Sequence, residues 1–282
     1  MFVEVILAGG GMKGLALLGA LSCLERHGCI STSSVRRYVG ASVGAIISTL
    51  LIVGLSADDI FNVLCGIDFT KLSNVSCDSI LNFPTTLGLS SSSHVIDMMQ
   101  ICLEHKGFSR DITFDALYAK TKRSLHVVAY CISKNKPVAF SFRTHPQMPV
   151  LMALRASIGI PFVFPPTIYD NDMYIDGCTV ESCPVRFAKY NRRSIVLMFE
   201  NAPVETSVSE LSNLSTYMGV FMSCLKHHMN KGGFMCRTRP PKNVIEIHTN
   251  CSLLDFNMTL PSKIEIYRHG YRACEDFLRT PS

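Results

Sequence analysis

Hydrophobic and polar positions along this chain switch repeatedly between two periods. Phe2, Val3, Val5, Ile6 and Leu7 form a short continuous apolar run, which predicts a buried strand, and residues 12–27 then repeat apolar side chains at helical spacing. The alternation continues. A strand-like run at 35–39 gives way to an apolar helix over 41–53, and Asp58-Asp59 cap a third helix over 60–65. Residues 71–93 loosen into Ser, Asn, Pro and Thr and read as a loop or lid before a helix over 94–105. A short helix is expected over 113–120 and a buried strand over 125–131. Lys134 to Pro137 turn the chain into a strand over 138–142, and later strands are expected at 194–199 and 244–248. Strand and helix taken in turn predict an α/β fold with a mainly parallel central sheet and helices on both faces. No internal repeat and no linker rich in Pro or Gly divides the chain, so a single domain over 1–282 is expected.

Candidate chemistry sits at two junctions of this pattern. Gly40-Ala41-Ser42-Val43-Gly44 places one serine between two glycines where a strand becomes a helix. A sharp strand-to-helix turn lifts the hydroxyl above the sheet, and side chains at Gly40 or Gly44 would collide with backbone. Gly9-Gly10-Gly11-Met12-Lys13-Gly14 follows the first strand and opens the next helix. Its backbone N–H groups, reinforced by the helix dipole, suit an anion or the oxygen of a tetrahedral acyl intermediate. Gly9, Gly11 and Gly14 also match a dinucleotide fingerprint, but the second strand ends in Gly40-Ala41-Ser42 without the carboxylate that would hold a ribose.

A third cluster, Tyr174-Ile175-Asp176-Gly177-Cys178, puts an aspartate at the end of a short strand, shortly after Ala156-Ser157-Ile158-Gly159-Ile160-Pro161. If Ser42 is a nucleophile, its base is either Asp176 itself or a histidine oriented by Asp176, and His227, His228, His248 and His269 all lie downstream. Asp170 and Asp172 read as solvated turn residues.

The order of motifs resembles the patatin-like phospholipases: a glycine-rich loop, a Gly-x-Ser-x-Gly elbow, an Ala-Ser-x-x-x-Pro segment and an Asp-Gly motif follow one another over residues 2–184. Leu260 to Lys263 and Gly270-Tyr271 look like the family's closing helix, so residues 185–282 are expected to complete the domain. Cys178 departs from the family, which has glycine or alanine there. The resemblance implies a lipid acyl hydrolase that cleaves glycerophospholipid esters through a Ser42 acyl-enzyme. It makes Asp176 general base and acid, in place of a histidine, and puts the oxyanion hole at Gly9, Gly10, Gly11 and Val43. Met12, Lys13, Gly14, Gly40, Gly44 and Gly177 then support the loop and elbow. It also implies calcium-independent hydrolysis with no metal or other cofactor. The alternatives are an esterase with a catalytic histidine and a catalytically silent lipid-binding scaffold.

Composition narrows the setting. The 282 residues are 48% hydrophobic and 17% charged, enough for a large core. The 12 cysteines are scattered without a zinc or disulfide spacing and read as reduced, mostly buried thiols of a cytoplasmic protein. Glu4 stands where an export signal would be basic, and the uncharged run 38–57 is broken by the two-glycine turn, so neither reads as a targeting or spanning segment. Residues 211–229 carry a helical apolar stripe ending in Lys226-His227-His228, which suits a lid or membrane-touching helix. A net charge of +5 favours an anionic lipid surface, and the resemblance implies a phospholipid or acylglycerol substrate met transiently at a membrane or micelle. Basic and aromatic residues are not interleaved, so no nucleic acid is expected as partner.

Overall fold

A computed structural model describes residues 1–31, 33–72, 76–200, 217, 220, 221, 224 and 242–280. The expected stripe at 211–229 falls largely outside them, as do His227 and His228. Strands are β1 (Glu4–Leu7), β2 (Arg37–Ala41), β3 (Ser124–Cys131), β4 (Lys136–Phe140), β5 (Thr167–Tyr169), β6 (Asp172–Asp176), β7 (Ser194–Phe199) and β8 (Asn243–Ile247). Helices are α1 (Gly14–Arg26), α2 (Val43–Ile52), α3 (Ala57–Cys65), α4 (Cys77–Thr86), α5 (Ser93–His105), α6 (Phe114–Thr121), α7 (Val150–Ser157) and α8 (Leu260–Arg279). All strands join one mixed, mostly parallel sheet in which β3, β2, β1, β7 and β8 are successive parallel neighbours.

β3 has three partners, and their registers fix the geometry of the site. Val127 and Val128 pair with β2 and β4 at once, and Ala129 to Cys131 pair with β4 and β6 at once. A strand has only two edges, so β2 and β6 lie on the same edge of β3. They run in opposite directions along it and meet end to end: Ala41 closes β2 opposite Val128, and Asp176 closes β6 opposite Ala129. The carboxyl end of β2 and that of β6 are therefore about one strand residue, ~3.3 Å, apart along β3.

Alternate strand residues face two layers, as the pleat requires. Val5, Leu7, Leu125, Val127, Ile195 and Leu197 join the main core with the buried sides of α1, α2, α5 and α7. Ile6, Ala8, Val39, Ala41, Val128 and Val196 face the other way, where short 3-10 helices at Gly177–Thr179 and Val185–Phe187 cover them. The first eleven residues of α1 are buried, and α8 packs along α1, closing the fold where the sequence resemblance put a last helix.

At the amino ends of the strands, Glu4 is fully buried. It accepts hydrogen bonds from Arg37, Ser194 Oγ and the backbone N–H groups of Lys189 and Tyr190. Burial of this charge is tolerable because each lone pair finds a donor. Arg37 Nε also donates to His126 Nε2 at 3.0 Å. Burial, with the charges of Arg37, Arg143 and Lys189, pushes the His126 pKa down to about 3. This polar cluster is at the opposite end of the sheet from Ser42.

Three expectations are corrected. Helix α3 is capped by Ser56, not by Asp58-Asp59: Ser56 Oγ accepts from Asp59 N–H, and the Asp59 carboxylate accepts from Ser56 N–H in return. The loop expected at 71–93 contains helix α4, capped by Ser76 accepting from Ser79 N–H, with no buried side chain to give it an apolar stripe. Asp172 is 9% exposed and ion-paired with Lys134, whereas Asp170 and Asn171 alone form the left-handed two-residue turn between β5 and β6.

Candidate active site

Ser42 sits between β2 and α2 with φ 53° and ψ −129°, a conformation that side-chain-bearing residues rarely adopt. The turn is that sharp because the helix begins immediately over the neighbouring strand. A Cβ on Gly44 would lie 2.6 Å from the carbonyl oxygens of Leu7 and Ala8, and one on Gly40 would lie 2.3 Å from that of Gly44. Ser157, the last residue of α7, holds the strained turn. Its Oγ accepts from Ser42 N–H at 2.9 Å and donates to the Val128 carbonyl at 2.6 Å. In the sequence Ser157 stands out only as part of the Ala-Ser-x-x-x-Pro segment; its direct bond to the elbow spans 115 residues.

Asp176 reaches the same point from β6. Its N–H donates to the Gly159 carbonyl at 2.9 Å, which ties β6 to the end of α7. Its Oδ1 accepts from Cys178 N–H at 2.7 Å, so the turn that follows orients the carboxylate. Gly177 lies against the Val128 carbonyl, with room for no side chain. Asp176 is 3% exposed and Ser42 5%. The glycine loop fills the remaining side. A Cβ on Gly9 would lie 1.9 Å from Cys178 Sγ and 2.9 Å from Ser42 Cβ, so the loop, the elbow and the Asp-Gly turn converge on Gly9.

The N–H of Gly9, expected among the oxyanion donors, is committed in this structure to the Ser182 carbonyl at 3.0 Å. The N–H groups of Gly10, Gly11 and Val43 have no acceptor among the described residues. Val43 opens α2, where the helix dipole adds positive potential. Met12 N–H donates to the Leu253 carbonyl at 3.1 Å, which clamps the loop from outside. Gly14 lies against the Val43 side chain. Lys13 extends toward Phe199, with Nζ 6.0 Å from the ring centre. Close by, burial pushes the Cys251 thiol up to about 12, aided by Asp255 and opposed by Lys13.

Ser42 opens on a cavity of about 80 Å³. Gly11, Met12, Leu15, Val43 and Ile46 wall it on the loop side, and Phe69, Met98, Ile160, Phe164 and Phe256 are among the apolar residues opposite. The Ser42 hydroxyl is the one polar side-chain group on the wall among the described residues. No described histidine lines it. His248 is exposed and paired with Glu200 at 2.9 Å, and His269 lies 4.0 Å from Glu265 on α8. An apolar slot with a strained serine at its end, N–H groups without acceptors and a buried carboxylate one strand residue away can hold an acyl chain and polarise its carbonyl.

Known proteins resemble this chain in sequence and in fold. The family model for patatin-like phospholipases matches residues 5–189. A viral protein named "Probable lipid hydrolase 463L", from Invertebrate iridescent virus 6, is 34% identical over 195 residues, which are 68% of this chain and 65% of that protein. Protein R571 of Acanthamoeba polyphaga mimivirus is 24% identical over 96% of this chain and 91% of its own length. Among solved structures, VipD from Legionella pneumophila has a similar fold, with a TM-score of 0.65 at 16% identity over 98% of this chain. ExoU from Pseudomonas aeruginosa, in its complex with SpcU, gives a TM-score of 0.51 at 16% identity over 99% of this chain. The chain spans 66% of the VipD chain and 53% of the ExoU chain. With a family match that contains the glycine loop, the elbow and the Asp-Gly turn, the chain belongs to the patatin-like phospholipase family.

Proposed function

We propose that this protein is a lipid acyl hydrolase acting on glycerophospholipid esters, with Ser42 as nucleophile and Asp176 as general base and acid. The observation that carries the reading is the end-to-end meeting of β2 and β6 on one edge of β3, beside a cavity to which the described residues contribute one hydroxyl, that of Ser42. Ser42 Oγ attacks the acyl carbonyl and its proton passes to the Asp176 carboxylate. The developing oxyanion accepts hydrogen bonds from Gly10, Gly11 and Val43 N–H, each such donor contributing about 3 kcal/mol to the transition state. As the carbonyl re-forms, the ester C–O bond breaks and Asp176 returns the proton to the leaving alcohol. Water, activated by the same carboxylate, then releases the fatty acid and restores Ser42.

The apolar wall supports a substrate with an aliphatic acyl chain, drawn transiently from a membrane or micelle surface. The test is hydrolysis of a soluble short-chain ester and of phospholipid vesicles by wild type, Ser42→Ala and Asp176→Asn, each checked for folding by circular dichroism. Turnover by wild type and none by either variant is expected. Undiminished turnover in Asp176→Asn, together with its loss on substitution of one histidine, would replace the dyad with a histidine-based site.

A further inference from the structure

From Leu72 to Ile96 the chain carries one formally charged residue, Asp78, where the chain-wide share of 17% would give about four. Within this stretch no residue of α4 is fully buried. Its Ile80 and Leu81 are 58% and 76% exposed, and Leu87 and Phe162 beside them are 43% and 50% exposed. Phe83 and Phe162 bring their rings to 6.4 Å. Leu87 and Phe162 both hold left-handed backbone, φ 57° and 67°, an unfavourable conformation for bulky residues. Despite that backbone cost, both side chains stay substantially exposed. A contiguous exposed apolar patch of this kind marks an interaction surface.

The patch is fastened to the cavity. Gly88 bridges to Phe162, Leu89 N–H donates to the Phe162 carbonyl at 3.0 Å and Ser90 N–H to that of Val163 at 2.8 Å. Ile160 and Phe164, on either side of this clasp, line the cavity that holds Ser42, and so do Leu72 and Val95 near the two ends of the stretch.

We infer that α4 and Phe162 form the face by which this protein docks on a lipid surface, with Ile80, Leu81, Leu87 and Phe162 entering the acyl region beside the cavity mouth. The occupant rests on the lipid hydrolase reading, because an acyl chain leaving a bilayer at this patch enters the cavity without crossing water. Ser79, Asn82, Thr85 and Thr86 supply hydroxyl and amide groups on the same helix for the headgroup layer. With one carboxylate and no basic residue on the helix, the contact is apolar and not electrostatic, so it takes zwitterionic lipid and tolerates salt.

The chain has no tryptophan, so Leu81→Trp in a Ser42→Ala background gives a single reporter that leaves the lipid intact. On phosphatidylcholine vesicles its emission is expected to shift to the blue and to be quenched by brominated acyl chains, equally at low and high salt. Leu81→Asp, with Ser42 retained, is expected to lower vesicle affinity and vesicle hydrolysis about tenfold or more while leaving hydrolysis of a soluble short-chain ester unchanged. Emission indifferent to vesicles, or undiminished vesicle binding by Leu81→Asp, would overturn the docking face. So would a dimer in solution that already buries the indole, since the occupant would then be a second copy. Should the indole enter vesicles while wild type hydrolyses no ester, the docking face stands and the hydrolase reading falls.

Discussion

Ser157→Ala isolates the contact that holds the elbow. The substitution removes the acceptor of Ser42 N–H at 2.9 Å and the donor to the Val128 carbonyl at 2.6 Å, while changing almost nothing in volume at a fully buried site. A buried N–H left without an acceptor costs about 1–3 kcal/mol, and the lost bond to Val128 adds about 1 kcal/mol. A net destabilisation of about 2–4 kcal/mol follows, seen as a fall of about 3–7 °C in Tm. The same loss frees Ser42 to relax from φ 53°, which draws its hydroxyl away from the N–H groups of Gly10, Gly11 and Val43. A tenfold to hundredfold drop in kcat/KM, about 1.4–2.7 kcal/mol of transition-state stabilisation, is expected. The assays are urea denaturation and the rate of Ser42 labelling by a fluorophosphonate, which reads nucleophile placement without turnover. Ser157→Cys, nearly isosteric with a weak acceptor, is expected to fall between the two. Wild-type stability and labelling rate in Ser157→Ala would refute the idea that this hydroxyl supports the elbow.

Gly9→Ala puts a methyl 1.9 Å from Cys178 Sγ, so labelling of Ser42 is expected to fall at least about a hundredfold, with a stability loss of about 1–3 kcal/mol; Cys178→Ala in the same chain is expected to recover part of both. Ser42→Gly removes the proposed nucleophile but relieves the strained backbone, so it is expected to abolish turnover and raise unfolding free energy by about 1 kcal/mol, which denaturant titration would measure. His126 has its folded pKa lowered to about 3 from an ordinary value near 6.5, so between those values the unfolded chain binds the extra proton. Stability from this group is therefore full above about pH 6.5 and lost as pH falls toward 3, and His126→Gln is expected to flatten the denaturation midpoint over that window.

The parts of the site set by local geometry were legible in the sequence. Ser42 between Gly40 and Gly44, and the glycines after β1, announce close backbone approach within a few residues, and Asp176 was marked by its place at a strand end before Gly177. What depends on distant pairing was not. The shared edge of β3 joins residues 41, 128 and 176, and the Ser157 bond joins 42 to 157, neither of which leaves a periodic trace. Gly9 looked like an oxyanion donor because nothing local shows that Ser182 would take its N–H. Helix α4 was hidden because hydroxyl-rich residues with no buried stripe look like a loop, although Ser76 with Ser79 was a readable cap.

Mass analysis after fluorophosphonate treatment tests most directly whether Ser42 is the activated nucleophile. One adduct per chain is predicted, mapping to the peptide that contains Ser42, absent in Ser42→Ala and greatly slowed in Asp176→Asn. A folded wild-type protein that takes no adduct, or takes it on another residue, would contradict a nucleophilic Ser42.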